Sequence, residues 1–294
     1  MSILPLLSQR VFNTPLAILP SKAEVIVAAL SDRLGITRAV RLDGSEFNID
    51  ASYFDDDDWK GGNRKGYEEV NGIALIEISG TLVQKLGTIN PYSGMTGYDG
   101  IRTNLFAAIN DPGIKAIAFI IDSPGGEVAG CFDLVDMIYN SRGKKPIWGI
   151  LSESAYSAAY AIASACDKIY VPRTGGLGHI GVITCHVDWS RAMANAGIAV
   201  TFITYGDNKA DGRPELPLSK EAYDRVQSDI TVMGELFSET VARNRGLSVE
   251  EIRETQASTY LGSRGVDVGL ADGVCSPDTA FRMLVNIVNN GESV

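Results

Sequence analysis

The middle of the chain alternates short, almost continuously apolar runs with segments whose apolar residues recur at helical spacing. The apolar runs are GIALIEISGTLV, KAIAFIID, KPIWGIL and DKIYVP. The helical patterns between them are YDGIRTNLFAAIN, CFDLVDMIYNSRG and AYSAAYAIAS. Strands without a polar face that alternate with helices are typical of a parallel sheet covered on both sides. The pattern therefore predicts an α/β domain, with a largely parallel sheet flanked by helices.

The two ends of the chain have different patterns. SKAEVIVAALSDRLGI opens with Ser21 and Glu24 in capping-box spacing and predicts an N-terminal helix, and the polar stretch that follows contains an acidic run, DDDD. A further helix is expected over about residues 220–244, and LGSRGVDVGLADGV predicts turns, a short helix and a strand. We therefore divide the chain into a helical extension (1–42), an acidic linker (43–70), the α/β domain (71–280) and a tail (281–294).

Composition narrows the function classes. The 294 residues carry 26 Lys and Arg against 36 Asp and Glu, a net charge of −10, which argues against a nucleic-acid surface. Two histidines are too few for a convincing zinc centre, and no metal or cofactor is expected. No apolar run approaches the roughly 20 residues of a membrane span, and no signal peptide is expected. Four cysteines without C-x-x-C spacing predict buried, reduced thiols: Cys131, Cys166, Cys185 and Cys275.

Three features could carry chemistry. The first is DSPGG, at 122–126, which directly follows a predicted strand, and the second is Ser157, at the head of an alanine-rich helix. Loops that follow parallel strands share one edge of a sheet, so these two are expected to converge. The third is Lys209, in a loop rich in turn-forming residues. Each also has a plain structural reading: an ordinary turn, a closely packed helix and a solvated lysine.

Taken together, these motifs resemble a known family. DSPGG, SAAY, ASACDKIYV and GHIGV, with a lysine 52 residues after the serine, are similar to the signal peptide peptidase A (protease IV) family. Members of that family are Ser–Lys proteases of the ClpP/crotonase superfamily, so the resemblance implies a ClpP/crotonase-like fold from about Gly72 to Val274. FNTPLAI, NGIALIEISGTLV and NPYSGMTGYDGI resemble the head (capsid assembly) protease branch of lambda-like tailed phages.

The resemblance implies a role for each matching residue. Ser157 becomes the nucleophile and Lys209 the general base, while Gly125 or Gly126 forms an oxyanion hole with the N–H of Ala158. A lysine can act as a base only when desolvation lowers its pKa enough to leave the amine neutral.

One motif departs from the family pattern. This chain has GHIG where the family commonly has G-S-I-G, so a histidine replaces a serine that is thought to help position the lysine. His179 can take over that orienting hydrogen bond, simply pack, or be the base itself. The spacing and the GDNKADGRP loop favour Lys209 as the base.

The resemblance also implies a biological setting. It predicts a serine endopeptidase that cleaves phage scaffold, portal or its own chain during capsid assembly, in the host cytoplasm and inside the prohead. It further implies a homo-oligomeric ring, with no nucleic-acid partner. In lambda-like phages the protease gene also encodes a C-terminal scaffold, which we expect to be a separate protein or to lie beyond residue 294.

Three alternative functions stay open from the residues. A cellular signal-peptide-degrading peptidase is disfavoured by PYSGMTGY and by the lack of an evident membrane anchor. An acyl-CoA enzyme of the crotonase group would share the oxyanion hole but would not need Ser157 together with Lys209. A catalytically idle assembly module is disfavoured only because both of these residues are present.

Overall fold

The computed structural model describes residues 15–19, 22, 66–92 and 94–290. The strands are β1 Leu16–Ile18, β2 Glu68–Val70, β3 Ile73–Ser79, β4 Thr81–Val83, β5 Met95–Gly97, β6 Ala116–Ser123, β7 Gly125–Glu127, β8 Ile147–Tyr156, β9 Lys168–Val171, β10 Gly176–Gly178, β11 Thr259–Leu261 and β12 Gly273–Val274. The helices are α1 Tyr98–Asn110, α2 Cys131–Tyr139, α3 Ala158–Ser164, α4 Ser190–Asn195, α5 Lys220–Arg245, α6 Val249–Glu254, α7 Ser263–Asp267 and α8 Pro277–Asn290, with a 3-10 helix at Asp207–Ala210.

The larger sheet confirms the predicted α/β class. Its strand order is β11-β10-β8-β6-β3-β2, and β9 joins β8 and then β12. All pairs within it are parallel except those made by β2 and β11 at its two ends. Residues 116–119 in the central strand β6 are fully buried, as an all-apolar strand between two layers requires.

A smaller sheet lies where the larger one ends. Its order is β1-β7-β4-β5, and each of its strands has three residues. Strand β7 follows β6 after the single residue Pro124, so the polypeptide passes directly from the central strand into the small sheet. One edge of β7 pairs with β4, and the other pairs with the N-terminal strand β1. This places the Gly-Gly stretch of the sequence inside a sheet.

Strand β8 is longer than its sequence predicts. The apolar pattern indicates a strand that ends near Leu151, whereas the structure continues it to Tyr156. The extra residues are held by parallel pairing of Ser154–Tyr156 with β10. Because that pairing joins distant parts of the chain, no local pattern announces it. Helix α3 consequently begins at Ala158, and Ser157 becomes the junction between strand and helix.

The two ends of the chain differ from the proposed division. Residues 16–18, inside the segment assigned to a helical extension, form a strand. The helix expected over residues 21–36 lies outside the described residues except for Lys22, and so does the acidic linker up to residue 65. At the other end α8 continues to Asn290, so residues 281–290 are not a tail. The reason is helical amphipathicity: Leu284 is fully buried in a cluster with Trp148 and Ile150. The other domain limits stay predictions.

Within the described ranges, no helix is both long enough and apolar enough to cross a bilayer. Cys131 and Cys166 are buried thiols, as expected, and burial raises the pKa of Cys131 to about 12. Cys275 is half-buried, and Cys185 is exposed, which differs from the expectation. The Cys131 thiol donates a weak hydrogen bond to the Ala158 carbonyl oxygen at 3.8 Å.

Candidate active site

The site is built around an unusual backbone conformation at Ser157. This residue connects β8 to α3 with φ 55° and ψ −120°, a region that glycine populates and other residues rarely enter. The side chain is fully buried. A serine on a sharp turn between a strand and a helix is the arrangement called a nucleophile elbow. Such strain, about 1–3 kcal/mol, persists only where the surrounding structure fixes it.

Backbone groups on both sides fix the elbow. The Ser157 N–H donates to the carbonyl oxygen of Gly178 at 2.8 Å, and its own carbonyl oxygen accepts from the Ala161 N–H at 2.9 Å, which starts the helix. The Ser157 hydroxyl donates to the Gly181 carbonyl oxygen over a long 3.4 Å. The segment from Gly178 to Gly181, which is the GHIG motif, therefore lies directly against the serine.

The far end of α3 is anchored by one arginine. The guanidinium of Arg142 donates to the carbonyl oxygens of Ser164, Ala165 and Cys166, and also to that of Asn244 at the end of α5. Charged donors make stronger hydrogen bonds than neutral ones, and a cation is favourable at a helix C-terminus. This clamp holds a helix of only seven residues, and with it the Ala158 N–H, which has no acceptor within the helix.

Gly125 lies directly beside the serine, at a position where a side chain would clash with backbone oxygens and with the serine itself. Its φ is +100°, and an added Cβ would lie 2.9 Å from the Tyr156 carbonyl oxygen and 3.0 Å from the Ser157 Cβ. The Gly125 N–H donates to the Ser123 hydroxyl at 3.2 Å. Gly126 is paired with β1 on one edge and with Leu82 on the other. The structure thus brings Gly125, Ser157 and Ala158 together, and both Gly125 and Gly126 lie in β7 of the small sheet.

His179 lies close to the elbow without a hydrogen bond to the serine. Its φ is 55°, and its N–H donates to the Ser258 carbonyl oxygen at 2.9 Å. Its Nδ1 is buried with no hydrogen-bond partner among the described residues, and burial lowers the pKa of the imidazole. Desolvation therefore favours a neutral ring at neutral pH. An uncharged nitrogen near the site suits either a lysine-orienting role or a base.

The structure does not bring Lys209 to Ser157 within one chain. Lys209 lies in the 3-10 helix Asp207–Ala210 with an exposed side chain. Over the described ranges this side chain has no hydrogen bond or ion pair. Two apolar neighbours are equally open, because Ile203 is 97% exposed and Tyr205 is fully exposed.

Sequence reasoning missed one feature of the site. Strand β1, near the N-terminus, lies antiparallel against β7, so that Ala17 faces Gly126 and Ile18 faces Gly125. The stretch PLAILP carries only a weak signal, a short apolar run between two prolines. Such a run is compatible with an edge strand but does not specify its partner.

The sequence profile described as Peptidase family S49 matches residues 140–289. The head-tail preconnector protein GP5 of Enterobacteria phage P21 is 37% identical over 283 residues, covering 95% of this chain and 56% of that protein. The capsid assembly protease C of Escherichia phage lambda is 36% identical over 289 residues, covering 96% of this chain and 65% of that protein. The chain thus spans less than two thirds of the length of either relative.

Two further proteins are similar to the chain at lower sequence identity. Protease 4 of Haemophilus influenzae is 26% identical over 226 residues, covering 76% of this chain and 36% of that protein. Among solved structures, a point mutant of ClpP1 from Listeria monocytogenes matches 69% of this chain and 91% of its own, with 15% identity and a TM-score of 0.41. The family profile covers half of the residues and confirms the family that the sequence motifs predict. The chain belongs to peptidase family S49.

Proposed function

We propose that this protein is a serine endopeptidase in which Ser157 is the nucleophile. The observation that carries the proposal is the elbow itself. A buried serine adopts a conformation suited to glycine, beside a glycine that leaves space for its Cβ. Nothing in the packing requires a hydroxyl there, because its one hydrogen bond is long. Backbone strain that does not improve packing is expected where a reacting group has to be held.

The chemistry follows from the groups around the serine. A neutral Lys209 amine takes the proton from the Ser157 hydroxyl as the oxygen attacks the substrate carbonyl carbon. The N–H of Ala158, together with that of Gly125 or Gly126, stabilises the negative charge that develops on the carbonyl oxygen. For Gly125 this requires giving up its 3.2 Å hydrogen bond to the Ser123 hydroxyl. The tetrahedral intermediate collapses, the peptide C–N bond breaks, and the lysine returns its proton to the leaving amine. Water then hydrolyses the acyl-enzyme by the same steps.

We further propose that the site is completed by a second copy of the chain. Lys209 is exposed and lacks a partner in the described part of one chain, and Ile203 and Tyr205 expose apolar surface next to it. Contact between copies would cover that surface and remove water from the lysine, which lowers its pKa as a base requires. A homo-oligomeric ring provides such contacts for every copy.

The substrates we propose are phage head proteins: scaffold, portal or the chain itself. Support comes from two relatives above 35% identity, one named a capsid assembly protease and the other a head-tail preconnector protein. Cleavage during head assembly would take place in the host cell, at or inside the prohead. The same site could degrade other extended peptides, so the substrate has to be identified by processing.

The test is co-expression of the chain with the scaffold and portal proteins encoded beside it. Cleavage of these proteins is followed by gel and by intact mass. We expect Ser157→Ala and Lys209→Ala to stop processing, and His179→Ala to slow it. If His179→Ala is inactive while Lys209→Ala remains active, histidine is the base. If the wild-type protein cleaves nothing, the peptidase assignment fails in favour of an idle assembly module.

A mixing experiment tests the shared site. Ser157→Ala and Lys209→Ala are each inactive alone, but after co-assembly some sites would combine an intact serine from one copy with an intact lysine from the other. Restored cleavage supports a site formed between copies. If the mixture stays inactive while co-assembly is demonstrated by mass, each site is contained within one chain.

A further inference from the structure

The N-terminal segment Pro15–Leu19 lies between β7 and Ile183, close to Ser157. On one side it runs antiparallel to β7, with Ala17 opposite Gly126 and Ile18 opposite Gly125. This pairing is extended at both ends. The Leu19 N–H donates to the Pro124 carbonyl oxygen at 3.0 Å, and the Val128 N–H donates to the Pro15 carbonyl oxygen at 3.4 Å.

The other side of the segment is bound as well. Leu16 and Ile183 exchange two backbone hydrogen bonds, of 2.8 and 2.9 Å, in an antiparallel bridge. The segment is therefore an extended peptide held between two stretches of backbone. Its side chains are covered, because Leu16 is 7% exposed and Ala17 and Ile18 are 2% exposed. Addition of a strand between backbone edges is a common way in which proteins bind extended peptides.

The segment also reaches the serine. An added Cβ on Gly125 would overlap the Ala17 carbonyl oxygen and would lie 3.0 Å from the Ser157 Cβ. Both atoms therefore lie close to the same side of Gly125. If a peptide cleaved by Ser157 binds with its backbone at this place, the segment and the peptide exclude each other.

We propose that Pro15–Leu19 is a tethered inhibitory occupant of the peptide-binding groove, which a substrate in trans must displace. The inference rests on the proposed function only in taking this groove as the substrate site. It identifies the ligand class as an extended peptide with small or apolar side chains, of which the chain's own Leu-Ala-Ile is the example. It also explains how a peptidase could remain inactive until its substrates are highly concentrated.

The expected size of the effect follows from effective concentration. A tethered segment competes at an effective concentration on the order of millimolar. If the free peptide binds with a dissociation constant of about 0.1 mM, the tethered segment slows cleavage in trans about tenfold. Displacing the segment should therefore raise the rate about tenfold and leave the rest of the fold intact.

The main test displaces the segment by substitution at Ala17, which belongs to the main apolar core. Arginine at this position cannot be buried without a partner, so Ala17→Arg expels the segment, whereas Ala17→Ser is the matched control of nearly equal size. A second variant, Leu16→Pro, removes the N–H that donates to Ile183. The readouts are the cleavage rate of fluorescein-labelled casein and the free energy of unfolding in urea.

The proposal predicts faster casein cleavage for Ala17→Arg and Leu16→Pro and wild-type cleavage for Ala17→Ser. Both displacing variants should lose only the free energy of unfolding that a tenfold binding advantage represents, about 1.4 kcal/mol. If both displacing variants lose stability and cleave casein no faster, β1 is a permanent part of the sheet and the proposal is wrong.

A binding experiment decides the matter without catalysis. In a Ser157→Ala background, a fluorescein-labelled peptide with the sequence of residues 13–22 is titrated against the chain with and without Ala17→Arg, and its anisotropy is followed. We expect the peptide to bind about tenfold more tightly when the tethered segment is displaced. Equal binding, or no binding, to both folded proteins overturns the proposal. Absence of casein cleavage by every variant, with binding as expected, would instead reject the proposed function alone.

Discussion

Two junctions between a strand and a helix share one backbone conformation and differ in their residue. Ser157, between β8 and α3, has φ 55° and ψ −120°, and Gly262, between β11 and α7, has φ 49° and ψ −119°. At Gly262 an added Cβ would lie 2.7 Å from the Arg173 carbonyl oxygen, so glycine serves both conformation and packing. At Ser157 there is space for the Cβ because Gly125, which lies beside it, carries no side chain. The chain thus has a glycine at one junction and a strained serine at the other, as expected if Ser157 is the nucleophile that we propose.

The largest effect is expected when Ser157 is replaced by glycine, the residue found at the other junction. Ser157→Gly should lower the rate of peptide cleavage on the order of 10⁶-fold, because the nucleophile is lost. It should also leave the free energy of unfolding unchanged or raise it by about 1 kcal/mol, because glycine adopts this conformation without strain. Casein cleavage and urea denaturation measure the two effects. Retained cleavage would contradict the role of Ser157 as the nucleophile, and a marked loss of stability would contradict the strain at this position.

The next effect separates the two candidate bases. Lys209→Met should reduce kcat/KM by several orders of magnitude, because the serine loses the group that takes its proton. Lys209→Arg should not restore it, since a guanidinium stays protonated. His179→Gln should cost much less, because an amide can still hydrogen-bond. The opposite order of losses, measured on one peptide substrate, would move the base to His179.

A smaller effect is expected when Gly262 is replaced by a residue that has a side chain, as Ser157 has. Gly262→Ala should lower the free energy of unfolding by about 2 kcal/mol, from a positive φ and the close Arg173 oxygen. Gly143→Ala is the matched control, since Gly143 has φ +80° but no atom within 4 Å of an added Cβ, and should cost about 1 kcal/mol. Activity of both variants should persist below their melting temperatures. Equal losses would show that the contact with Arg173 does not matter.

The smallest effect concerns pH. Burial lowers the pKa of His179, so the folded chain binds that proton less readily than the unfolded chain, whose histidine titrates near about 6.5. The stability associated with the neutral ring is fully present above that pH. It falls as the pH drops towards the lowered folded-state value. Urea denaturation at several pH values should show a steeper acid loss for the wild type than for His179→Gln. Parallel profiles would mean that His179 is not desolvated.

Local pattern predicted much of the fold. The strands β3 and β6 and the helices α1, α2 and α5 follow from runs of apolar residues and their spacing, each of which involves neighbours along the chain. The strand β1 and the extension of β8 do not, because both depend on pairing with distant segments. Residues 281–290 form most of α8 and not a tail, and their apolar positions lie on one helical face that is already present in the sequence pattern.

The sequence names the candidate site residues, whose roles stay proposals, but it does not give their geometry. Ser157, Gly125 and Ala158 converge as loops at one sheet edge should. The strain at Ser157 has no signature in composition, because this residue follows the end of β8, which pairs with the distant strand β10. Lys209 is exposed in the 3-10 helix, so a single chain does not show what brings it to the serine. Its role as the base stays a proposal.

The most direct test of the central claim is covalent labelling of the elbow serine. The full chain is incubated to completion with diisopropyl fluorophosphate, digested, and mapped by mass spectrometry, with Ser157→Gly and Gly262→Ala treated alongside. The account predicts one adduct, on the peptide that contains Ser157, in the wild type and in Gly262→Ala, and none in Ser157→Gly. A folded wild-type chain that cleaves casein but carries its adduct on another residue, or carries none, would contradict it.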